Sequence, residues 1–186
     1  MARSTKSGRG RSRSYYFLIP IVAFTIILGA YVASVSMANG PAAMDYTLKI
    51  SIQISNPKNT TQATFAGPQR AIGVPGGYWE NHTFDAYGVG GNYPVYVDSP
   101  PNPYPGYSPI HVKSRIAHNY TLGDLFSVWG QTLGQNNTLG VQAQGPNVDW
   151  TMCVGTTATN LRPGLWAAQP LVSGVDIILS YARPCV

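Results

Sequence analysis

Residues 120–130 read YTLGDLFSVWG, and this stretch decides the fold. Thr121 followed three residues later by Asp124 has the spacing of a capping box, in which two side chains accept hydrogen bonds from backbone N–H groups at a helix start. The large apolar residues that follow lie at i, i+3, i+4, i+7 and i+11, on one stripe of a helix: Leu122, Leu125, Phe126, Trp129 and Leu133. Gly134 supplies a left-handed stop, so the pattern predicts a helix over 122–133.

A single short helix with one apolar face must bury that face against a sheet, and the flanking sequence supplies the strands. Residues 46–54 alternate apolar and polar without error, and residues 63–74 return as a weaker second strand. Short apolar patterns at 110–116, 148–154 and 175–181 indicate three more strands. This order predicts an α+β, β-grasp-like domain, mostly β sheet around one central helix. A small β-sandwich carrying one helix is the alternative.

The N-terminal region differs in composition from the rest of the chain. Residues 1–14 carry five of the twelve Lys and Arg residues and no acid, whereas residues 15–38 contain no charge. Such a run is typical of a transmembrane helix, and the basic arm before it predicts a cytoplasmic N-terminus. We expect a single-pass protein of the cell membrane, with a linker at 39–45 and an extracytoplasmic domain at 46–186. A cleaved signal peptide is the alternative.

The charge of the remaining chain excludes one class of partner. Beyond residue 44, seven basic residues balance seven acidic ones, although the whole chain carries a formal net charge of +5. A neutral domain has no long-range field that gathers phosphates, so we expect no nucleic-acid partner.

Two further features agree with an extracytoplasmic, oxidising compartment. Cys153 and Cys185 are the only cysteines, and a disulfide between them would close a loop of about 33 residues. A pair of free buried thiols is the alternative. Four Asn-x-Thr sequons predict glycosylation at Asn59, Asn81, Asn119 and Asn136.

Residues 73–109 form a Pro-, Tyr- and Gly-rich stretch with little periodicity. An irregular segment of this length is functional or poorly ordered, and its aromatic content favours a packed insertion. Tyrosine offers a large amphipathic contact with few torsions to freeze, which suits a protein-binding face. The candidate interaction residues are Tyr78, Trp79, Tyr93, Tyr96, Tyr104 and Tyr107. The alternative is that these rings cover the domain's own sheet.

Several short motifs resemble a group of membrane-anchored extracytoplasmic proteins of ammonia-oxidising archaea. They are AIGVP at 71–75, IHVKS at 110–114, YTLGDLFSVWG at 120–130 and SGVDII at 173–178, together with the apolar strand that follows residue 38. The resemblance implies a functionally uncharacterised family whose members carry a His-x-His-Asp segment before the strand at 110. Here residues 93–98 take that place and only Asp98 matches, which implies that any metal site of the family is lost in this chain.

Few residues in the sequence are candidates for metal binding or catalysis. His111, His118 and Asp98 are the only candidate set for a copper or zinc ion, because imidazole and carboxylate are ligands of both, but their spacing does not favour local chelation. The acidic residues are scattered singly, and neither a nucleophile with its base nor a phosphate-binding glycine motif is present. We therefore expect no catalytic residue and no cofactor.

The sequence thus predicts a non-enzymatic, membrane-anchored interaction domain that serves as an accessory subunit of a membrane protein complex or of a cell-envelope assembly. Its partners would be the membrane and other membrane or envelope subunits. Two alternatives are open: a metal-binding redox or carrier domain, and a carbohydrate-binding domain that uses the tyrosines.

Overall fold

The computed structural model describes residues 15–38, 41–56, 59–98, 106–145, 148–157 and 160–182. Side chains are described at all of these except 15–18, 34–38 and 56–65. The chain divides into two compact units, Met1–Asn39 and Gly40–Val186.

The first unit contains helix α1, Tyr15–Ala38, which has Pro20 inside it and no charged residue. Its described side chains, at 19–33, are exposed. Among the described residues no helix has both the length and the apolar character that a membrane crossing needs, which is about 20 apolar residues. The predicted transmembrane helix at 15–38 is therefore wrong. The predicted fold class, which combined that helix with a β-grasp-like domain, and the predicted cell-membrane localisation are corrected with it.

The second unit is a mixed α+β structure built on one large sheet. Its strands are β1 Met44–Asn56, β2 Asn59–Phe65, β3 Val95–Tyr96, β4 Ser108–Ser114, β7 Trp150–Gly155, β8 Leu161–Pro163 and β9 Asp176–Tyr181. Two further strands, β5 Asn137–Thr138 and β6 Val141–Gln142, form a separate hairpin. The order across the large sheet is β3-β4-β1-β9-β7-β8, and β2 also pairs with β1.

Strand β1 lies at the centre because its alternating residues bury one face. Leu48, Ile50 and Ile52 are buried, whereas Lys49 between them is exposed. On one side β1 runs parallel to β9. On its other side two partners share the edge: β4 pairs with its first half, and β2 returns from a hairpin to pair with its end. The whole length of this strand is thereby hydrogen-bonded.

Helix α2, Leu122–Trp129, follows the predicted start. Thr121 Oγ1 accepts from the Asp124 N–H, and Asp124 Oδ2 accepts from the Thr121 N–H at 2.8 Å, so both halves of the capping box are present. The predicted end is wrong: Gly130, at φ 71°, closes the helix one turn before Gly134.

The core forms between α2 and the sheet. It contains the buried stripe of the helix, the inward residues of β1 and β9, and rings from the insertion. Leu133, which lies beyond the helix end, is only partly buried at the edge of this core. All the described strands of residues 41–182 lie in the large sheet or in the small hairpin, so the described residues do not form a two-sheet sandwich.

Candidate functional site

The insertion at 73–109 packs most of its described rings against the domain itself. Tyr93 is 0% exposed and lies at the centre of a ring cluster, with Trp79 edge-on at 6.3 Å and Phe84 tilted at 6.3 Å. The assignment of Tyr93 to a binding face is therefore wrong, because a ring inside the core has no surface to offer a partner.

The other candidate rings are partly covered. Tyr78 is half-buried and lines a cleft, and Trp79 donates its indole N–H to Asp85 at 2.9 Å. Tyr96 stacks on His111 with 4.9 Å between ring centroids, and Tyr107 lies under the Lys49 ammonium at 4.8 Å. Tyr104 lies outside the described residues. The contacts favour the alternative in which these rings cover the domain's own surface.

Two of the three candidate metal ligands meet on the outer face of the sheet. His111 Nε2 lies 3.4 Å from Asp98 Oδ1, and its Nδ1 lies 3.2 Å from Thr47 Oγ1. His118 lies elsewhere, between the rings of Phe84 and Tyr120. In the described parts of the chain no group of three His, Cys, Asp or Glu side chains is placed to hold a metal. Two ligands fall short of the three or four protein ligands that zinc sites use.

A second polar cluster was not predicted. His82 Nδ1 lies 2.7 Å from Asp85 Oδ2, the other oxygen of that carboxylate accepts the Trp79 indole N–H, and the His82 ring stacks on Trp79. The carboxylate thus fixes the orientation of an exposed imidazole. A working His–Asp pair needs a nucleophile or a second ligand, and no described contact supplies one. We therefore treat this cluster as the brace of the loop at 79–87.

The glycosylation candidates differ in their surroundings. Asn81 is engaged in the fold: its Oδ1 accepts from Thr83, and its Nδ2, the atom that a glycan would modify, donates to Ser127 Oγ at 3.0 Å. Asn119 and Asn136 are exposed. The side chain of Asn59 lies outside the described residues. The sequon of Asn119 ends in Thr121, whose side chain caps α2. The sequon of Asn136 ends in Thr138, which caps no helix of the described structure.

Cys153 lies in β7, is buried and is disulfide-bonded. No described cysteine is free, and Cys185, the only other cysteine in the chain, lies outside the described residues.

The chain between β8 and β9 exposes two large apolar side chains. We call residues 165–172, LWAAQPLV, the apolar segment. Leu165 is 63% exposed and Val172 48% exposed. Among the described residues after α1, Tyr87 is the only other large apolar side chain of comparable exposure. Ala167, Ala168 and Pro170 are exposed between them, and no charged residue occurs from 163 to 175.

Hydrogen bonds and a close backbone approach attach the apolar segment to the start of α2. The Gln169 side chain accepts from the Leu165 N–H at 3.2 Å and donates to the Pro170 carbonyl at 3.1 Å. The Gln169 and Leu171 backbones bond to Leu122 and Tyr120 at the start of α2. A Cβ at Gly123 would lie 2.7 Å from the Ala167 carbonyl oxygen, so helix and segment are in close contact.

Trp166 occupies an unusual backbone conformation in this segment. Its φ is 56°, in the left-handed region that bulky residues seldom adopt. The Trp166 side chain is half-buried against the core. The Trp166 backbone N–H donates to the Met152 sulfur at 3.3 Å. Packing of the indole offsets a backbone cost of about 1–3 kcal/mol, while the neighbouring Leu165 is exposed.

Burial also marks three tyrosine hydroxyls near the start of α2. Burial raises the pKa of Tyr46, Tyr93 and Tyr120 above the usual value, and the charge of Asp124 raises those of Tyr93 and Tyr120 further. Tyr46 donates to the Leu171 carbonyl at 2.7 Å, and Tyr120 pairs with Ser114 Oγ at 2.8 Å. The Tyr93 hydroxyl lies by the Phe84 backbone, which partly offsets the shift, but it completes no well-aligned hydrogen bond within the described structure.

These pKa shifts predict alkaline unfolding. A tyrosine whose folded-state pKa is raised stabilises the fold fully below the unfolded pKa of about 10, and this stability is lost as the pH rises through the folded pKa. An ultraviolet titration should show some tyrosines that ionise only well above pH 10, at the same pH at which the circular dichroism of the fold is lost. Tyr93→Phe should leave stability at neutral pH unchanged or higher and move the transition to higher pH. Ionisation of all tyrosines near pH 10 without unfolding would contradict this.

Comparison of the chain with family models, with curated proteins and with solved structures gave no match. The resemblance to extracytoplasmic archaeal proteins stays a prediction.

The apolar segment was missed because it lacks an element pattern. The sequence shows only a charge-free run with one glutamine, and neither the burial of Gln169 nor the exposure of Leu165 can be read from it.

Proposed function

We propose that residues 40–182 act as a non-enzymatic protein-binding domain, in the manner of an accessory subunit, and that the apolar segment is its docking surface. The observation that carries the proposal is the exposure of Leu165 and Val172 on a backbone that is fixed from beneath. Exposed apolar side chains that cluster on one loop mark interaction sites more often than scattered ones do.

The hydrogen bonds that order the apolar segment also favour binding. A loop that is ordered before binding loses little conformational entropy when it docks, so its apolar contacts translate into affinity. The absence of charge from 163 to 175 removes the desolvation cost that a Lys or Glu would add at the centre of an interface. The partner that fits is a protein with a shallow apolar groove that receives Leu165.

Leu165→Asp combined with Val172→Asp tests the proposal. A buried carboxylate at the centre of an interface is expected to weaken binding at least tenfold, about 1.4 kcal/mol or more. The tagged full-length chain would be purified under mild conditions from its native cells. Proteins that co-purify with the unmodified chain, quantified by mass spectrometry, should be depleted at least tenfold in the variant.

Tyr87→Asp is the control, because it places one of the same carboxylates on the other large apolar residue that is exposed in the described structure after α1, in a different loop. It should retain the partner. Circular dichroism and thermal melting must show that both variants fold. Equal recovery of the same partners by the double variant and the unmodified chain would refute the docking role of the segment.

A further inference from the structure

A cleft of about 300 Å³ lies on a different part of the domain. Its wall is formed by the end of β1, the chain at 66–69, Tyr78, the end of α2 and the β5–β6 hairpin. The side chains that define its chemistry are Ile54, Gln69, Tyr78, Trp129, Gln131 and Leu139. The size is at the lower end of the range of small-ligand sites.

The lining selects a class of ligand. The described part of the lining contains no charged residue, so a phosphate, carboxylate or amine would lose hydration there without gaining a counter-charge. Tyr78 and Trp129 contribute aromatic rings and Ile54 an aliphatic side chain, whereas Gln69 and Gln131 are exposed. Neither amide makes a side-chain hydrogen bond within the described parts of the chain. Each offers a donor and an acceptor side by side.

Leu139 provides an independent sign that the cleft is a built site. It is the first residue of a two-residue hairpin turn, at φ 56°, and Gly140 follows at φ 76°. This is the type I′ pattern, for which Asn-Gly is preferred and a leucine is strained. The leucine side chain is half-buried and lines the cleft, so backbone strain is retained at the place where it shapes the wall.

We propose that this cleft binds one neutral pyranose ring of a saccharide. The C–H face of such a ring packs on aromatic and aliphatic side chains, and its neighbouring hydroxyl groups pair with the donor and acceptor of a carboxamide. A hydrocarbon would use only the first of these features and a peptide backbone only the second. The lining shares no residue with the apolar segment, so the site stands apart from the proposed docking function.

Saturation-transfer NMR on the full-length chain tests the site with methyl α-D-glucopyranoside, methyl α-D-mannopyranoside and methyl β-D-galactopyranoside. At least one should bind with a Kd of about 1 mM, as expected for a ligand of this size with few contacts. The corresponding methyl glucuronide should bind at least fivefold more weakly. No saturation transfer from any of the three neutral probes at about 10 mM, or equal binding of the charged one, would overturn the proposal.

Two variants separate binding from folding. Leu139→Asn relieves the backbone strain of the hairpin turn and removes an apolar side chain from the wall of the cleft. The melting temperature should therefore change little while binding is lost. Gln131→Ala should weaken binding at least fivefold, and Gln135→Ala, an exposed glutamine outside the cleft, should have no effect. Binding that survives both Leu139→Asn and Gln131→Ala would place the ligand elsewhere and refute the assignment.

Discussion

Leu125→Ala is expected to lower the free energy of unfolding by about 2–5 kcal/mol. Leu125 is 1% exposed in the middle of α2 and belongs to the core between the helix and the sheet. Truncation removes the transfer free energy of the side chain and leaves a cavity that the rigid sheet cannot fill by relaxation. Urea unfolding followed by circular dichroism measures the loss as a lower midpoint at an unchanged slope.

Leu133→Ala is the matched control, because it makes the same chemical change in the same predicted stripe. Leu133 lies beyond the helix end and is only partly buried, so its loss should cost less than half as much as that of Leu125. Equal losses for the two variants would mean that the helix continues to 133, as the sequence pattern alone predicts.

Reduction of the disulfide at Cys153 is expected to cost about 3–4 kcal/mol. The chain holds one pair of cysteines, and on the chain-entropy account a closed loop of about 33 residues removes this much freedom from the unfolded state. Cys153, at one end of the cross-link, lies in β7, which pairs with β9 beside the central strand. The urea midpoint should fall on addition of a reducing phosphine.

Cys185→Ser separates loss of the cross-link from other effects of the reductant. It should unfold at the midpoint of the reduced unmodified chain and should not respond to the phosphine. It also leaves the buried Cys153 side chain in place, so no cavity is added in β7. An unmodified chain whose midpoint is the same with and without reductant would show that the disulfide does not stabilise the fold.

Local patterns predicted the elements whose chemistry is local. The capping box at Thr121 and Asp124 is set by residues three apart, and the alternation of β1 follows from a period of two, so both could be found from the sequence. The end of α2 could not, because Gly130 and Gly134 both suit a left-handed stop. The choice depends on Thr132 and Thr138, which bond the chain after Gly130 into the β5–β6 hairpin.

The direction of the rings in the insertion could not be predicted from composition. Tyr93 is buried because Trp79 and Phe84, both in the insertion, pack against it, and Phe84 in turn packs edge-on against Tyr120 outside the insertion. The apolar segment gives the opposite case: its apolar residues suggest a core, but Leu165 and Val172 are exposed. The charge-free run at 15–38 was likewise predicted to span a membrane from its composition, and the structure does not support that prediction.

The parallel pairing of β1 with β9 has a consequence for biosynthesis. Lys49 lies opposite Asp176 in this pairing, so β1 leaves the ribosome long before the strand that must lie beside it. At about 5–20 residues per second, the delay lasts several seconds or more. During that time the backbone N–H and C=O groups on this edge of β1 have no partner strand, and an open edge of this kind is prone to pair with other chains.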